Sequence, residues 1–271
     1  MKRIPHMTSH VFETMLRPHN SILRTMPRCF LSVISTAVLF SNSAGVSGAQ
    51  ARKPDASDAR TLIERIETQY QGRTSRAVAS MKVATDRWTR EMTMEMRSEG
   101  RDKFLVRILA PKKDEGVASL KIGEDMWNYL PNIDRLVKIP SSMMGESWMG
   151  SHLTNDDLVK ENQIDRLYDF TLKRSGATAE VSAVPKPDAA VVWGRIDYSI
   201  ETERLVPVLI RYFDEEGELV RTITFDDVRS ISGRWVPLRM VVKPEDKPGE
   251  RTELVYRELV FDEKIPPDYF S

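Results

Sequence analysis

The sequence predicts a mainly β fold in which a few α-helices cover one large, curved antiparallel sheet. Three observations support this prediction. Apolar residues alternate with polar ones in many short segments, turn-forming residues separate these segments, and no regular alternation of strands with long helices occurs. The pattern therefore favours sequential hairpins over a parallel sheet with crossover helices.

Residues 1–49 are predicted to be a secretory signal peptide and not part of the fold. Arg24 and Arg28 precede the apolar run Phe30–Phe40, and small residues then lead to a cleavage site at Ser47-Gly-Ala49. This order is typical of a signal peptide, and the run is too short to cross a bilayer as a helix. The alternative interpretation is an N-terminal membrane anchor. The remaining chain, residues 50–271, is predicted to be one domain.

Cleavage after Ala49 removes most of the residue types that serve in catalysis or metal binding. The only cysteine, Cys29, and three of the four histidines lie in the leader, which leaves His152. The mature chain therefore cannot form a disulfide, a cysteine-based zinc site or a multi-histidine metal site. It keeps 35 of the 40 basic and 39 of the 40 acidic residues, so its charge does not favour nucleic acid. We expect no enzymatic activity, no metal and no cofactor.

The mature chain is predicted to open with an amphipathic helix. Asp55 is its candidate N-cap, and Gly72 ends the segment. The apolar residues between them recur at helical spacing and form one stripe: Ala59, Leu62, Ile63, Ile66 and Tyr70. Such a helix needs an apolar surface on which to lie.

After this helix the apolar period changes to two, and about ten strands are predicted. The alternation is clearest in segments 92–96, 118–122, 126–130, 168–172, 196–200, 208–212, 236–242 and 254–256. Turn signals separate the later strands at Glu215–Gly217, Ser232-Gly233 and Pro244–Gly249. A sheet of this width with few helices to cover its apolar face is predicted to enclose incompletely filled apolar space.

Residues 126–158 form the most distinctive part of the sequence. A strand, a turn at Pro131-Asn132 and a second strand lead into a loop rich in Met, Gly and Trp. A second helix is predicted to start at Thr154, whose spacing to Asp157 resembles a capping box. Asp156 and Asp157 are therefore interpreted as helix-start charges and not as an acid–base pair.

Six segments together form a family pattern: Trp127-x-Tyr-Leu-Pro131, Arg135-x-x-Lys-Ile139, Ser141-Ser142, Met149-Gly-Ser151, Thr154-x-Asp156-Asp-Leu158 and Ile265–Ser271. This pattern resembles the LolA-like outer-membrane lipoprotein-sorting family over roughly residues 55–271. The resemblance implies an open half-barrel of antiparallel strands, as in LolA and LolB, that helices close around a cavity for acyl chains. The resemblance does not assign a binding role to any individual residue of this chain.

Candidate residues of a ligand-binding cavity or its lid are Met92, Met94, Met96, Trp127, Tyr129, Arg135, Met143, Met144, Trp148 and Met149. The methionine stripe is either a cavity wall that tolerates different chains or ordinary core. Trp127 and Tyr129 serve either ligand contact or hairpin packing, and Arg135 is either solvated or meets an anionic headgroup. The loop that follows is either a lid or docking loop, or a loop folded over the sheet. His152 is expected to be a hydrogen-bonded structural residue.

The predicted function is that of a periplasmic carrier that binds the acyl chains of a lipoprotein or lipid for transfer towards the outer membrane. Removal of hydrocarbon from water, about 0.8 kcal/mol per methylene, supplies the driving force. An inner-membrane transporter and an outer-membrane acceptor are the expected partners besides the cargo. The alternative is a periplasmic sensor or scaffold that uses the same fold to bind an envelope protein.

Overall fold

Backbone hydrogen bonds in the computed structural model join thirteen strands into one antiparallel sheet that does not close into a barrel. The structure describes residues 58–160, 163–266 and 268–270. The predicted mainly β fold with an open, curved antiparallel sheet is confirmed. The signal peptide predicted for residues 1–49 lies outside the described residues. Within the described part of the chain, no helix is long and apolar enough to cross a membrane.

Among the described residues, three helices and three short 3₁₀ turns accompany the sheet. The helices are α1 (Ala59–Glu67), α2 (Asn155–Lys160) and α3 (Ile164–Leu167), and the turns are Pro131–Ile133, Ser141–Met143 and Trp148–Gly150. The strands are β1 (Thr74–Ala84), β2 (Thr89–Glu99), β3 (Lys103–Ala110), β4 (Ala118–Ile122), β5 (Asp125–Leu130), β6 (Arg135–Lys138), β7 (Tyr168–Ser175), β8 (Thr178–Pro185), β9 (Arg195–Glu201), β10 (Val206–Phe213), β11 (Leu219–Ile231), β12 (Arg234–Pro244) and β13 (Arg251–Phe261).

The order of strands across the sheet is β6-β5-β4-β3-β2-β1-β13-β12-β11-β10-β9-β8-β7. Strands that are neighbours in the chain pair with each other, apart from β1, which pairs with β13. The two edge strands are therefore β6 and β7, which follow one another in the sequence. The chain between them, residues 139–167, connects one edge of the sheet to the other and carries α2 and α3. We call it the crossing segment.

The number of strands exceeds the expected ten or so, because β1, β3, β8 and β11 do not stand out by an alternation of large apolar residues with polar ones. In β1 alternate residues are buried, but Ser75, Ala77 and Ala79 are too small to produce a strong hydropathy signal. In β11 the alternation breaks where Asp227 adopts a positive φ of 51°. Burial follows the pleat in β1 and β8, whereas in β3 the successive residues Leu105 and Val106 are both buried.

Helix α1 is shorter than predicted. Its N-cap is Asp58, whose Oδ1 accepts a hydrogen bond from the Arg60 backbone N–H at 3.2 Å, and Asp55 lies outside the described residues. The helix ends at Glu67, and its C-cap Thr68 donates from both its backbone N–H and its hydroxyl to the Glu64 carbonyl, the hydroxyl at 2.7 Å. The predicted stripe is confirmed for the residues within the helix, and these are buried: Ala59, Leu62, Ile63 and Ile66.

Two of the three buried clusters among the described residues meet at the middle of the covered face, and the third lies around Ala77, Val236 and Phe261. The first packs α1 against β7 to β12, and the second joins the methionines of β1 and β2 to Trp148. Met240 on β12 contacts both clusters. The candidate functional site lies where these clusters meet.

Candidate functional site

A cavity of about 140 Å³ lies between the covered face of the sheet and the helical segments above it. The end of α1 and the crossing segment form its cover, and strands β1 to β3 and β9 to β13 contribute to its wall. The wall is largely apolar and includes Met81, Met94, Met96, Phe104, Phe225, Met240, Leu254 and Tyr256. Unbranched thioether side chains adapt to differently shaped neighbours, so this wall suits variable hydrocarbon.

Three of the ten candidate residues line this cavity, namely Met94, Met96 and Trp148. Met92 lies on the same strand and is buried, but it packs in the adjacent core and not at the cavity wall. The other candidates lie outside the lining: Trp127, Tyr129, Arg135, Met143, Met144 and Met149. A ligand-binding role for the candidates stays a prediction.

Trp148 holds residues 141–153, which we call the Met-rich loop, against the sheet. Its side chain is buried, and its indole Nε1 donates to Ser119 Oγ on β4 at 3.1 Å. Met144 and Met149 pack against the same cluster, whereas Met143 is 47% exposed. Of the two alternatives for this loop, the one folded over the sheet describes its conformation in this structure.

The β5–β6 hairpin has its own local contacts. The Tyr129 hydroxyl donates to Asp134 Oδ1 at 2.9 Å, and Lys138 Nζ lies 5.6 Å from the centre of the Trp127 ring. Arg135 is exposed on the edge strand. These contacts fit hairpin packing for Trp127 and Tyr129, and the role of these residues and of Arg135 in ligand binding stays a prediction.

No sequence signal marks Arg221, the buried cation of the cavity wall. Its Nη1 and Nη2 donate to the two carboxylate oxygens of Asp157, each at 2.6 Å, and its side chain is only 4% exposed. The guanidinium lies 4.2 Å and 4.5 Å from the ring centres of Tyr212 and Trp193. Since Arg221 belongs to β11 and Asp157 to the crossing segment, this ion pair fastens the cover to the sheet.

The predicted capping box at the start of α2 is confirmed. The Thr154 backbone N–H donates to Asp157 Oδ2 at 2.7 Å, and the Asp157 N–H donates to Thr154 Oγ1 at 3.1 Å. Burial alone raises the pKa of Asp157, but the Arg221 guanidinium and these hydrogen bonds hold it below its ordinary value. Asp157 therefore both caps α2 and neutralises Arg221.

His152 is a hydrogen-bonded structural residue, as predicted. Its Nδ1 lies 2.9 Å from Thr252 Oγ1, and its Nε2 lies 3.0 Å from Glu250 Oε2. Its backbone carbonyl accepts a hydrogen bond from Arg221 Nη1 at 3.2 Å. These contacts join the crossing segment to β11 and β13.

Glu67, at the end of α1, makes a second connection to the crossing segment. Its Oε1 accepts from the Ile164 backbone N–H at 2.8 Å, and its Oε2 accepts from Arg101 Nη2 at 2.9 Å. The same Arg101 nitrogen donates to Asp165 Oδ1 at 2.6 Å. Burial raises the pKa of Glu67 to about 9, and repulsion from the nearby Asp165 carboxylate raises it too, whereas the Ile164 hydrogen bond and Arg101 lower it by less.

This arrangement predicts that the stability of the folded protein depends on pH and that Glu67→Gln weakens this dependence. The folded protein keeps a proton on Glu67 between about pH 4.5 and about pH 9, whereas the unfolded chain has released it. The free energy of unfolding should therefore fall as the pH rises through this window. Burial raises the pKa of Asp165, but Arg101 lowers this pKa by a larger amount. The ionised Asp165 therefore stabilises the folded protein, and this stabilisation is lost only as the pH falls below about 3.8.

Urea unfolding at several pH values between about 5 and about 9 measures this slope. In Glu67→Gln the slope should be shallower, because glutamine imitates the protonated carboxyl and does not titrate. Glu64→Gln, a change on the same helix outside the cavity lining, is the control and should keep the slope. An equal slope for Glu67→Gln and for the unmodified protein would contradict a raised pKa of Glu67 in the folded state.

Comparison with known proteins identifies the family. Residues 100–271 match the model of a family that is described as "Uncharacterized protein". The chain belongs to this family. No curated protein matches it significantly.

Three solved structures share the fold. A DUF1329 family protein from Desulfovibrio piger has a TM-score of 0.71 at 22% identity, covering 79% of this chain and 95% of that one. A LolA superfamily protein from Nitrosomonas europaea has a TM-score of 0.66 at 16% identity, covering 80% and 98%. A domain from Vibrio parahaemolyticus, described as an outer membrane lipoprotein-sorting protein domain, has a TM-score of 0.66 at 19% identity, covering 79% and 97%. The predicted LolA-like fold is therefore confirmed.

Proposed function

We propose that this protein is a non-enzymatic periplasmic carrier that binds the acyl chains of a lipid or lipoprotein in the cavity beneath the crossing segment. One observation supports the proposal most strongly. The cavity has a wall rich in methionine and aromatic side chains, and its cover consists largely of a segment that the sheet does not include. A LolA-like fold agrees with a carrier of this kind.

The volume of the cavity requires that loading changes the cover. A cavity of about 150 Å³ accommodates a molecule the size of benzene, and typical ligand pockets measure about 300–1,000 Å³. At about 140 Å³, this cavity holds only a short part of a hydrocarbon chain. Micromolar affinity at about 0.8 kcal/mol per methylene needs about ten buried methylenes, so the bound state is an expanded one.

Three contacts hold the crossing segment, and the proposed opening has to release at least one of them. Asp157 ties α2 to Arg221 on β11, and the Ile164 backbone ties the start of α3 to Glu67 on α1. Trp148 anchors the preceding loop on β4. In the proposed carrier, α2 moves away from the sheet while Trp148 stays in place, and the Arg221–Asp157 contact breaks or lengthens.

Cargo transfer in this proposal follows from differences in affinity. The driving force for loading is the removal of acyl chains from water, so release requires an acceptor that buries the same chains at least as well. An inner-membrane transporter supplies the cargo, and an outer-membrane acceptor receives it. The periplasmic location rests on the predicted signal peptide at residues 1–49.

Lipid extraction tests the proposal. The protein is purified from the periplasm of a Gram-negative host without detergent, extracted with organic solvent and analysed by mass spectrometry. We expect acyl lipids in the extract, and saturable uptake of a fluorescent fatty acyl probe by the delipidated protein. An extract without lipid, together with no probe uptake, would contradict a carrier.

Exposed apolar side chains favour the sensor or scaffold as a second candidate. Along the turn and edge strand between β5 and the Met-rich loop, four large apolar residues are at least 38% exposed: Leu130, Ile133, Val137 and Met143. Such residues are typical of a protein contact when they form one patch. This candidate predicts that the delipidated protein still binds a defined envelope protein and that Ile133→Ser with Val137→Ser abolishes binding.

A further inference from the structure

A pocket of about 540 Å³ that is open to solvent lies beside the first residues of β2. Residues 88–91, the loop after β3 and Gly150 of the Met-rich loop line it, and we call it the Trp88 pocket. Since β2 pairs with β3 only from Thr93 onward, the start of β2 has no strand on this side. The volume lies within the range of about 300–1,000 Å³ that is typical of small-molecule sites.

Trp88 presents an accessible aromatic side chain at this pocket. It lines the pocket and is 43% exposed, so a dissolved molecule can reach it. The turn before β2 fixes its backbone, because the Trp88 N–H donates to Thr85 Oγ1 at 3.1 Å and the Thr85 N–H donates to the Trp88 carbonyl at 2.9 Å. The Asp86 N–H donates to Glu250 Oε1 at 3.2 Å and braces the same turn. A residue that is positioned before binding lowers the entropy cost of holding a ligand.

The charged groups of the Trp88 pocket balance one another. Its lining contains two cations, Arg90 and Lys113, and two carboxylates, Glu91 and Asp114. Arg90 Nη2 lies 3.0 Å from Asp114 Oδ2, and Arg90 Nη1 donates to the Met149 carbonyl at 3.3 Å, so these contacts join the three segments of the lining. The side chains of Glu91 and Lys113 are exposed and form no ion pair with another described residue. A pocket with donors and acceptors but no net charge suits a neutral ligand that carries both.

We propose that the Trp88 pocket binds a neutral carbohydrate, with one pyranose ring packed on Trp88 and its hydroxyl groups bonded to Lys113 and to the carboxylates of the lining. A pyranose ring has an apolar C–H face and a rim of hydroxyl groups. The C–H face packs on the indole through dispersion and burial of apolar area, and the hydroxyl groups both donate and accept hydrogen bonds. A phosphate group would instead meet the two carboxylates. The site is separate from the proposed carrier function, because none of its residues lines the acyl cavity.

Neutral trisaccharides test the proposal by saturation-transfer NMR and calorimetry. The probes are triacetylchitotriose, cellotriose, maltotriose and mannotriose, whose rings differ in substituents, linkage and stereochemistry. We expect the unmodified protein to bind at least one of them. Raising sodium chloride to about 0.5 M should leave this affinity within about twofold, because salt screens only interactions between charges and these sugars carry none.

Two pairs of variants locate the bound sugar. Trp88→Ala should weaken binding at least about fivefold, because it removes the aromatic face. Trp235→Ala is its matched control, since Trp235 is 41% exposed but lines neither the cavity nor the Trp88 pocket. Lys113→Met should weaken binding about threefold, the loss of one hydrogen bond. Lys112→Met should leave binding unchanged, because Lys112 pairs with Glu115 and lies outside the lining. Circular dichroism confirms that each variant folds.

Failure of the unmodified protein to bind any of these sugars would overturn the inference and leave the carrier function standing. Sugar binding that Trp88→Ala retains in full would overturn it too, because the sugar would then lie elsewhere. If vesicles of phosphatidylglycerol bound in place of the sugars, through Trp88 and less tightly at high salt, the pocket would belong to a lipid surface and the inference would be wrong. A purified protein without acyl lipid would contradict the carrier function but not this site.

Discussion

Replacing Arg221 by methionine is expected to lower the free energy of unfolding by about 3–5 kcal/mol, the cost of breaking a buried ion pair. The change leaves the Asp157 carboxylate buried without its guanidinium, and it removes the cation that lies against the Tyr212 and Trp193 rings. Urea unfolding at neutral pH measures the difference.

An exposed ion pair provides the control. Arg229 Nε lies 2.9 Å from Asp227 Oδ1, but these side chains are 65% and 41% exposed. Arg229→Met should therefore change the free energy of unfolding by less than about 1 kcal/mol. Adding Asp157→Asn to Arg221→Met should recover much of the loss, because it removes the unpaired charge and keeps an acceptor for the cap of α2. A loss below about 1 kcal/mol in Arg221→Met would contradict the role assigned to this pair.

Filling the cavity is expected to weaken acyl binding at least tenfold. Met96 lines the cavity and is half-buried, so Met96→Trp places a larger side chain in the space that the chain would occupy. Excluding about two methylenes costs about 1.6 kcal/mol, which corresponds to more than tenfold in affinity. Titration of the delipidated variant with a fluorescent fatty acyl probe measures the effect, and circular dichroism confirms that the variant folds.

Met143→Trp is the matched control for this experiment. Met143 is exposed and lies outside the cavity lining, so the same substitution there should leave the affinity within about twofold. A large loss in Met143→Trp with none in Met96→Trp would place the acyl chain under the Met-rich loop and not in the cavity.

Local patterns in the sequence suffice to predict much of the sheet. Ile196, Tyr198 and Ile200 alternate with polar residues, and all three are buried on one face of β9. The turn at Ser232 and Gly233 is also predictable, because a two-residue hairpin of this kind needs positive φ at both positions, and their φ values are 51° and 77°. These features depend on neighbours a few residues apart.

The polar groups of the cavity depend on contacts that are distant in the sequence. Arg221 and Asp157 are 64 residues apart, and an arginine in a strand is ordinarily solvated. Gln69 lies in a turn, where an amide side chain is usually exposed. The methionine candidates illustrate the same limit, since Met92 and Met94 share a strand face but only Met94 reaches the cavity. The fold can therefore be predicted from local sequence patterns, whereas the site depends on strand register and on the path of the crossing segment.

Photo-crosslinking tests most directly whether acyl chains bind in this cavity. The delipidated protein is incubated with a palmitoyl probe that carries a diazirine near the end of the chain, irradiated, digested and mapped by mass spectrometry. We predict labelled residues on β2, β11, β12 and β13 at the cavity wall, and loss of this labelling in Met96→Trp. Labelling confined to the exposed residues 130–143, or unchanged labelling in Met96→Trp, would contradict the account.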